Sequence, residues 1–172
     1  MRLGLLLLLL APAARATGEW RLRARENFES GVIDLGGRPE AYRGAISAFD
    51  LFHEKPFERS YGLTLHYGGL GRAAGPGRVT VTVLGAEAKV FVWKKLFTRG
   101  GLIAQASDPA GPGRESWTWG GSGGLGWEFP VWKLGLAPEF GGKALWGARG
   151  RRVSMGYAAL GVHFYVFPGD AR

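Results

Sequence analysis

From Trp117 onward the chain alternates in polarity with a period of two. The odd positions read Trp117, Trp119, Gly121, Gly123, Leu125, Trp127 and Phe129, and the even ones Thr118, Gly120, Ser122, Gly124, Gly126 and Glu128. After a short turn containing Pro130 and Val131 the pattern resumes. Trp132, Leu134, Leu136, Pro138, Phe140 and Trp146 share one face, with Lys133, Glu139 and Lys143 on the other. This period is that of a β-strand, whose successive side chains point to opposite faces.

The same reading along the whole chain predicts about eight strands. The first covers roughly 19–28, with Trp20, Leu22 and Ala24 on one face and Arg21, Arg23 and Arg25 on the other. The second covers roughly 42–52 and the third 60–71, where Tyr61, Leu63, Leu65 and Tyr67 oppose Gly62, Thr64 and His66. The fourth ends at Val92, with Ala86, Ala88, Val90 and Val92 opposite Glu87, Lys89 and Phe91. The fifth covers 96–106, with Arg99 and Gln105 on its polar face, and the eighth 154–167.

Two strands resist a simple phase. Val79, Val81 and Val83 are odd where the apolar residues after them are even, which calls for a bulge near Leu84 and Gly85 or an extension of the strand above a membrane. In the last strand Leu160, Val162, Phe164 and Val166 form the more apolar face, yet Tyr157, Tyr165 and Phe167 lie opposite.

The connections alternate in character. Those near 53–59, 93–95 and 130–131 are short. Those at 31–40, 71–77, 108–114 and 147–152 are longer or rich in Gly, Pro and Arg. The aromatics follow: Phe52, Phe57, Trp93, Phe129 and Trp132 fall near the short turns, and Tyr42, Tyr67, Trp117, Trp119 and Trp146 near the loops. An apolar face with aromatics at both ends, a small or charged opposite face, and turns shorter on one side predict an all-β fold. The expected architecture is an antiparallel up-and-down transmembrane β-barrel. Trp93, Trp117, Trp119, Trp127, Trp132 and Trp146 are its expected membrane-interface aromatics. A soluble exported barrel of lipocalin type has the reverse polarity, with Trp117, Trp119 and Trp127 lining a ligand cavity. Gly18-Glu19-Trp20 is weakly similar to the start of that fold.

The ends and the composition narrow the setting. Arg2, the apolar run 3–14 and Ala14-Arg15-Ala16 read as a secretory signal in residues 1–16, too short to span a bilayer, with a barrel domain in 17–172. The absence of cysteine excludes disulfides, a lipid-modified N-terminal Cys and thiolate metal sites. The 30 glycines lack a Gly-X-Y repeat, so they point to close backbone approach on strands rather than to collagen. The net charge of +8 is not gathered on a helix or a reading motif, so no nucleic-acid partner is expected.

Gly123–Pro130, Leu134–Glu139 and the aromatic-rich final strand up to Phe167 make the chain resemble the small outer-membrane β-barrel proteins of Gram-negative bacteria. The resemblance is architectural and covers the region after the signal. It implies residence in the outer membrane, contact with its lipid including lipopolysaccharide, a monomer, and a C-terminal signal read by the barrel-assembly machinery. Pro168–Arg172 follow Phe167, a departure from the usual terminal Phe. Such proteins include structural anchors, adhesins, small pores and lipid-modifying enzymes, so fold alone does not assign the role.

The chemistry favours a non-enzymatic structural or surface-interaction role. Arg23, Glu87, Lys89, Arg99, Glu128, Glu139 and Lys143 are the expected lumen-facing charges. They carry both signs on adjacent strands, and inside a narrow barrel they should pair. The reading is a lumen plugged by paired charges, with a narrow ion conduit as the alternative. His53, His66 and His163 are scattered and show neither metal-ligand spacing nor a Ser–His–acid set, so no metal, cofactor or catalytic residue is assigned. A lipid A-modifying enzyme remains the second alternative. Arg72, Arg78, Arg114, Arg149, Arg151 and Arg152 fall on the predicted outer loops, where guanidinium forks suit the phosphates of lipopolysaccharide.

Overall fold

The computed structural model describes residues 19–54, 59–109, 116–131 and 134–165. The proposed signal, Phe57, Arg114, Trp132, Lys133 and the segment from Val166 lie outside them. The strands are β1 (Glu19–Asp34), β2 (Glu40–Glu54), β3 (Ser60–Arg72), β4 (Arg78–Trp93), β5 (Leu96–Pro109), β6 (Ser116–Trp127), β7 (Phe129–Val131), β8 (Leu134–Gly147) and β9 (Arg152–Tyr165). β6 and β7 are one strand pinched at Glu128. Gly126 pairs with Glu139 and Phe129 with Leu136 in a single antiparallel register. The Glu128 N–H meanwhile turns to the Lys95 carbonyl at 2.9 Å. The wall therefore has eight strands.

Each strand pairs antiparallel with its sequence neighbours, and β1 pairs with both β2 and β9. The β6–β8 ladder completes the ring, so among the described strands no edge is left open. Closure of this kind satisfies every ladder hydrogen bond within the wall, the condition for crossing a membrane with strands.

The period-two pattern settles which side faces in. In β1 Arg21, Arg23, Arg25, Asn27, Glu29 and Ile33 are buried, while Trp20, Leu22, Phe28 and Val32 are exposed. Outward rows elsewhere include Phe49 and Leu51, Leu63 and Leu65, Trp117 and Trp119, and Phe140 and Trp146. The exterior is largely apolar and most charges are inside, with outward exceptions such as Glu26, Arg43 and Arg78. That is the opposite of a ligand-lined soluble barrel, and it rules the lipocalin polarity out.

Several expectations change. β1 continues to Asp34 rather than ending near Phe28, because Val32 and Ile33 keep the alternation outward and inward. Gly31 belongs to the strand. A Cβ there would stand 2.2 Å from the Ser154 carbonyl oxygen on β9, so glycine permits the approach. The outer connections shrink accordingly to residues 35–39, 73–77 and 148–151. Asp34 closes the first, its Oδ1 accepting the N–H groups of Gly36 and Gly37 at 2.9 and 3.1 Å. Pairing also runs through Val131, beyond the turn placed at Pro130 and Val131.

There is no bulge at Leu84 and Gly85. β4 pairs without interruption from Val79 to Phe91, and the register shifts only between Phe91 and Trp93. Val79, Val81 and Val83 share the inward row with Glu87 and Lys89, and all five are buried. Thus the inward row changes from apolar to charged along one strand. Tyr42 and Phe52 also point inward and are buried, so neither belongs to an outer girdle. The last strand places Leu160 outward and Val153, Met155 and Ala159 inward.

Seven of the strands run 13 to 16 residues. About 9–11 tilted residues span the hydrocarbon. The wall therefore rises beyond the membrane, and short loops cap a tall barrel.

Candidate functional site

The interior has two parts. At the end carrying the β4–β5 turn, the start of β1 and the end of β9, here the inner end, the inward residues are mostly charged. Six cations, Arg21, Arg23, Arg25, Lys89, Arg99 and Lys143, face five anions, Glu29, Asp50, Glu87, Glu128 and Glu139, all buried.

Asp50 sits at the centre. Arg99 donates to both of its oxygens, at 2.9 and 3.2 Å, and Arg25 Nε lies 2.8 Å from Oδ2. The Thr64 hydroxyl donates to Asp50 Oδ1 at 2.6 Å. Arg99 reaches on to Glu87, whose other oxygen accepts from the Ser122 hydroxyl at 2.5 Å. Glu139 receives Arg25 at 3.2 Å, Arg23 at 3.1 Å and the Tyr157 hydroxyl at 2.8 Å. Nearer the inner mouth Glu128 bridges Lys89 at 2.8 Å and Arg21 at 3.5 Å. Toward the outer half Lys143 pairs with Glu29 at 2.6 Å.

Aromatic faces complete the solvation of the cations. Lys89 Nζ lies 4.6 Å from the centroid of Phe97 and 4.7 Å from that of Phe91, and Arg99 stands 5.4 Å from that of Phe52. The glycines on the inward row of β6 make the space. A Cβ at Gly126 would meet Phe97 at 2.3 Å, and one at Gly124 would meet the Tyr157 hydroxyl at 2.5 Å. The Gly-rich row is therefore a set of sockets for large side chains from the neighbouring wall.

The outer half is apolar. Ile33, Tyr42, Ile46, Leu70, Val79, Val81, Val83, Ile103, Leu145, Val153 and Met155 form one buried cluster. Small polar side chains of β5 and β6 join it, with Gln105 Nε2 donating to the Ser107 hydroxyl at 2.9 Å. Above it Glu40 accepts from Arg72 at 2.8 Å and from the Tyr42 hydroxyl at 2.9 Å.

All seven charges singled out in the sequence lie on this inward surface, and each has an opposite-charge partner. Arg21, Arg25, Glu29 and Asp50 belong to the same network and were not singled out. Alternation alone marks Arg21 and Arg25. Asp50 gives a weaker signal, because β2 is apolar on both faces around it, with Phe49 and Leu51 outward and Ala48 and Phe52 inward. His66 is inward, its Nε2 lying 2.7 Å from the Thr64 hydroxyl and 3.1 Å from Arg25. Among the described residues no group of three His, Asp or Glu side chains is placed to hold a metal ion.

Trp93, Trp117, Trp119 and Trp146 are exposed on the outer surface near strand ends, and Trp127 is half-buried against Trp93 at a centroid distance of 5.9 Å. Of the rim arginines, Arg72 is held by Glu40, Arg78 and Arg152 are exposed, and Arg149 occupies a left-handed turn position with φ 59°. Arg151 is half-buried beneath the last outer loop, where its carbonyl accepts the Gly147 N–H at 2.9 Å.

The crystal structure of Neisserial surface protein A is similar in fold, with a TM-score of 0.59 at 13% identity over 85% of this chain and 96% of that one. The chain is an outer-membrane-type β-barrel of eight strands. Ail, the attachment invasion locus protein of Yersinia pestis, is matched at a TM-score of 0.46 and 13% identity, over 87% of this chain and 100% of that one. No protein-family model and no curated protein sequence matches. A closed barrel with an apolar exterior is an architecture that can cross a lipid bilayer with strands, and the described strands form one.

Proposed function

We propose that this protein is a non-enzymatic outer-membrane barrel with a structural or surface-interaction role, its lumen closed by its own side chains. The observation that carries the reading is the continuous inward occupancy from Glu128 at the inner mouth, through the Asp50 and Glu139 network, to the apolar cluster around Val81. Eight strands leave an interior just wide enough for side chains to fill. An ion entering from the inner end meets fixed charges that already face opposite partners, and then a mostly apolar layer with few polar groups. A narrow pore needs a continuous polar path, and the apolar cluster in the outer half speaks against one.

In this reading Trp93, Trp117, Trp119, Trp127 and Trp146 anchor the wall at the two lipid–water interfaces, where rings with a polar edge are favoured. The lipid partner is the outer membrane's own, including lipopolysaccharide. The short outer loops leave the projecting wall and rim arginines as the surface available to a partner.

Planar-bilayer recording of the refolded full chain tests the closed lumen. The expected trace shows no discrete steps. Single-channel steps whose size scales with salt concentration overturn it. Mass spectrometry of lipid A from expressing cells tests the non-enzymatic part. An unchanged acyl pattern is expected, and loss of an acyl chain contradicts the reading.

A further inference from the structure

At the outer end the lipid-facing surface differs from wall to wall. β6 and β8 present Trp117, Trp119 and Trp146. β2, β3 and β4 present instead Ser47, Tyr67, Thr80 and Thr82, with Arg43 and Arg78 above them on the same outward rows.

The register brings the two arginines together. Arg43 pairs with Gly71, and Gly71 pairs with Arg78, so the three form one cross-strand row with no side chain at its centre. Adjacent strands lie about 4.8 Å apart, which sets the two arginine backbones about 10 Å apart across the glycine. A phosphate flanked by two guanidinium forks fills such a gap. Arg78 also lies back along the wall. A Cβ at Gly69 would stand 2.6 Å from its Nε and 2.8 Å from its Nη2. Gly69 and Gly71 are thus a bare floor that lets the guanidinium rest against the barrel. Among the described residues neither Arg43 nor Arg78 has an ion-pair partner, whereas Arg72 beside them is bound to Glu40.

We propose that Arg43 and Arg78, over the floor of Gly69 and Gly71, form an external clamp for the phosphate group of an outer-leaflet glycolipid headgroup. The order of groups down this wall selects a lipid over a free anion. Below the arginines come the hydroxyls of Tyr67, Thr80 and Thr82, suited to sugar. Below those come exposed Phe49, Leu63, Leu65 and Leu84, suited to acyl chains. Phosphate, sugar and acyl chain follow one another in the same order in such a lipid. The clamp is on the outside of the wall and is independent of the closed lumen.

The test uses the full chain refolded in detergent, with folding of each variant checked by heat modifiability. Binding of fluorescent bis-phosphorylated lipid A is compared with that of its dephosphorylated form. Wild type should prefer the phosphorylated lipid. Arg43→Gln and Arg78→Gln should each weaken its binding about tenfold, the scale of one lost charge-assisted contact. Gly69→Ala keeps both charges but displaces Arg78, and should weaken binding as Arg78→Gln does. Equal binding of the two lipids, or full binding by the Arg43→Gln/Arg78→Gln variant, overturns the clamp. Displacement of the lipid by millimolar inorganic phosphate overturns its assignment to a lipid headgroup.

Discussion

Along β1 the inward residues Arg21, Arg23, Arg25 and Glu29 give way to Ile33, and along β4 Lys89 and Glu87 give way to Val83, Val81 and Val79. The inner half of the lumen is held by ion pairs and the outer half by packing. The two fail differently. A buried ion pair offsets a desolvation penalty of several kcal/mol per ion only while every partner is present. A packed apolar cluster loses stability in proportion to the volume removed. One half is sensitive to the loss of single charges, and the other tolerates changes that keep its shape.

The largest effect should come from Asp50→Ala, which removes the carboxylate shared by buried Arg25 and Arg99 and leaves them only the carboxylates of Glu139 and Glu87. A loss of about 3–5 kcal/mol is expected in urea unfolding followed by tryptophan fluorescence. Little change would mean that the arginines find other partners. Next, Leu70→Ala opens a cavity in the outer cluster and should lower stability by about 2–4 kcal/mol in the same assay. Leu70→Met, similar in volume, should stay within about 1.5 kcal/mol. Equal damage from both would argue against a packed outer half.

Glu128→Ala, at the inner mouth, removes one carboxylate partner from buried Lys89 and Arg21, while the rings of Phe91 and Phe97 still face the Lys89 ammonium. A smaller drop of about 1–3 kcal/mol is expected as a lower heat-modification temperature on gels. No shift would remove Glu128 from the network. The smallest effect is expected at the boundary, where Lys143 meets Glu29 beside Leu145, Val153 and Met155. Replacing the pair together, Glu29→Leu with Lys143→Met, extends the apolar half inward and should change stability by about 1 kcal/mol or less, whereas Glu29→Ala alone should cost about 3 kcal/mol. A double variant as unstable as the single one would place the boundary elsewhere.

Much of this was legible in the chain. In β6 and β8 the large apolar residues share one face, interrupted by Gly121, Gly123 and Gly142, so Glu128, Glu139 and Lys143 fall on the opposite face by counting alone. The reading fails where the lumen itself is apolar. Val79, Val81 and Val83 look like a lipid-facing run out of phase, because periodicity separates two faces without saying which is inside. Tyr42 and Phe52 mislead for the same reason, being aromatic near strand ends yet turned inward. Asp50 is hidden because its neighbours on both faces are apolar. Its partners Arg25 and Arg99 lie 25 and 49 residues away, so only the closed register brings them together.

The most direct test of the ionic inner half is a double-mutant cycle on Asp50 and Arg99, with urea unfolding measured for wild type, Asp50→Ala, Arg99→Ala and the double variant. If the two side chains are stable in the wall because they face each other, the double variant should be more stable than the sum of the single losses implies. The expected difference is about 1.5–3 kcal/mol. Strict additivity would contradict the account, because it would mean that Asp50 and Arg99 contribute to the barrel independently.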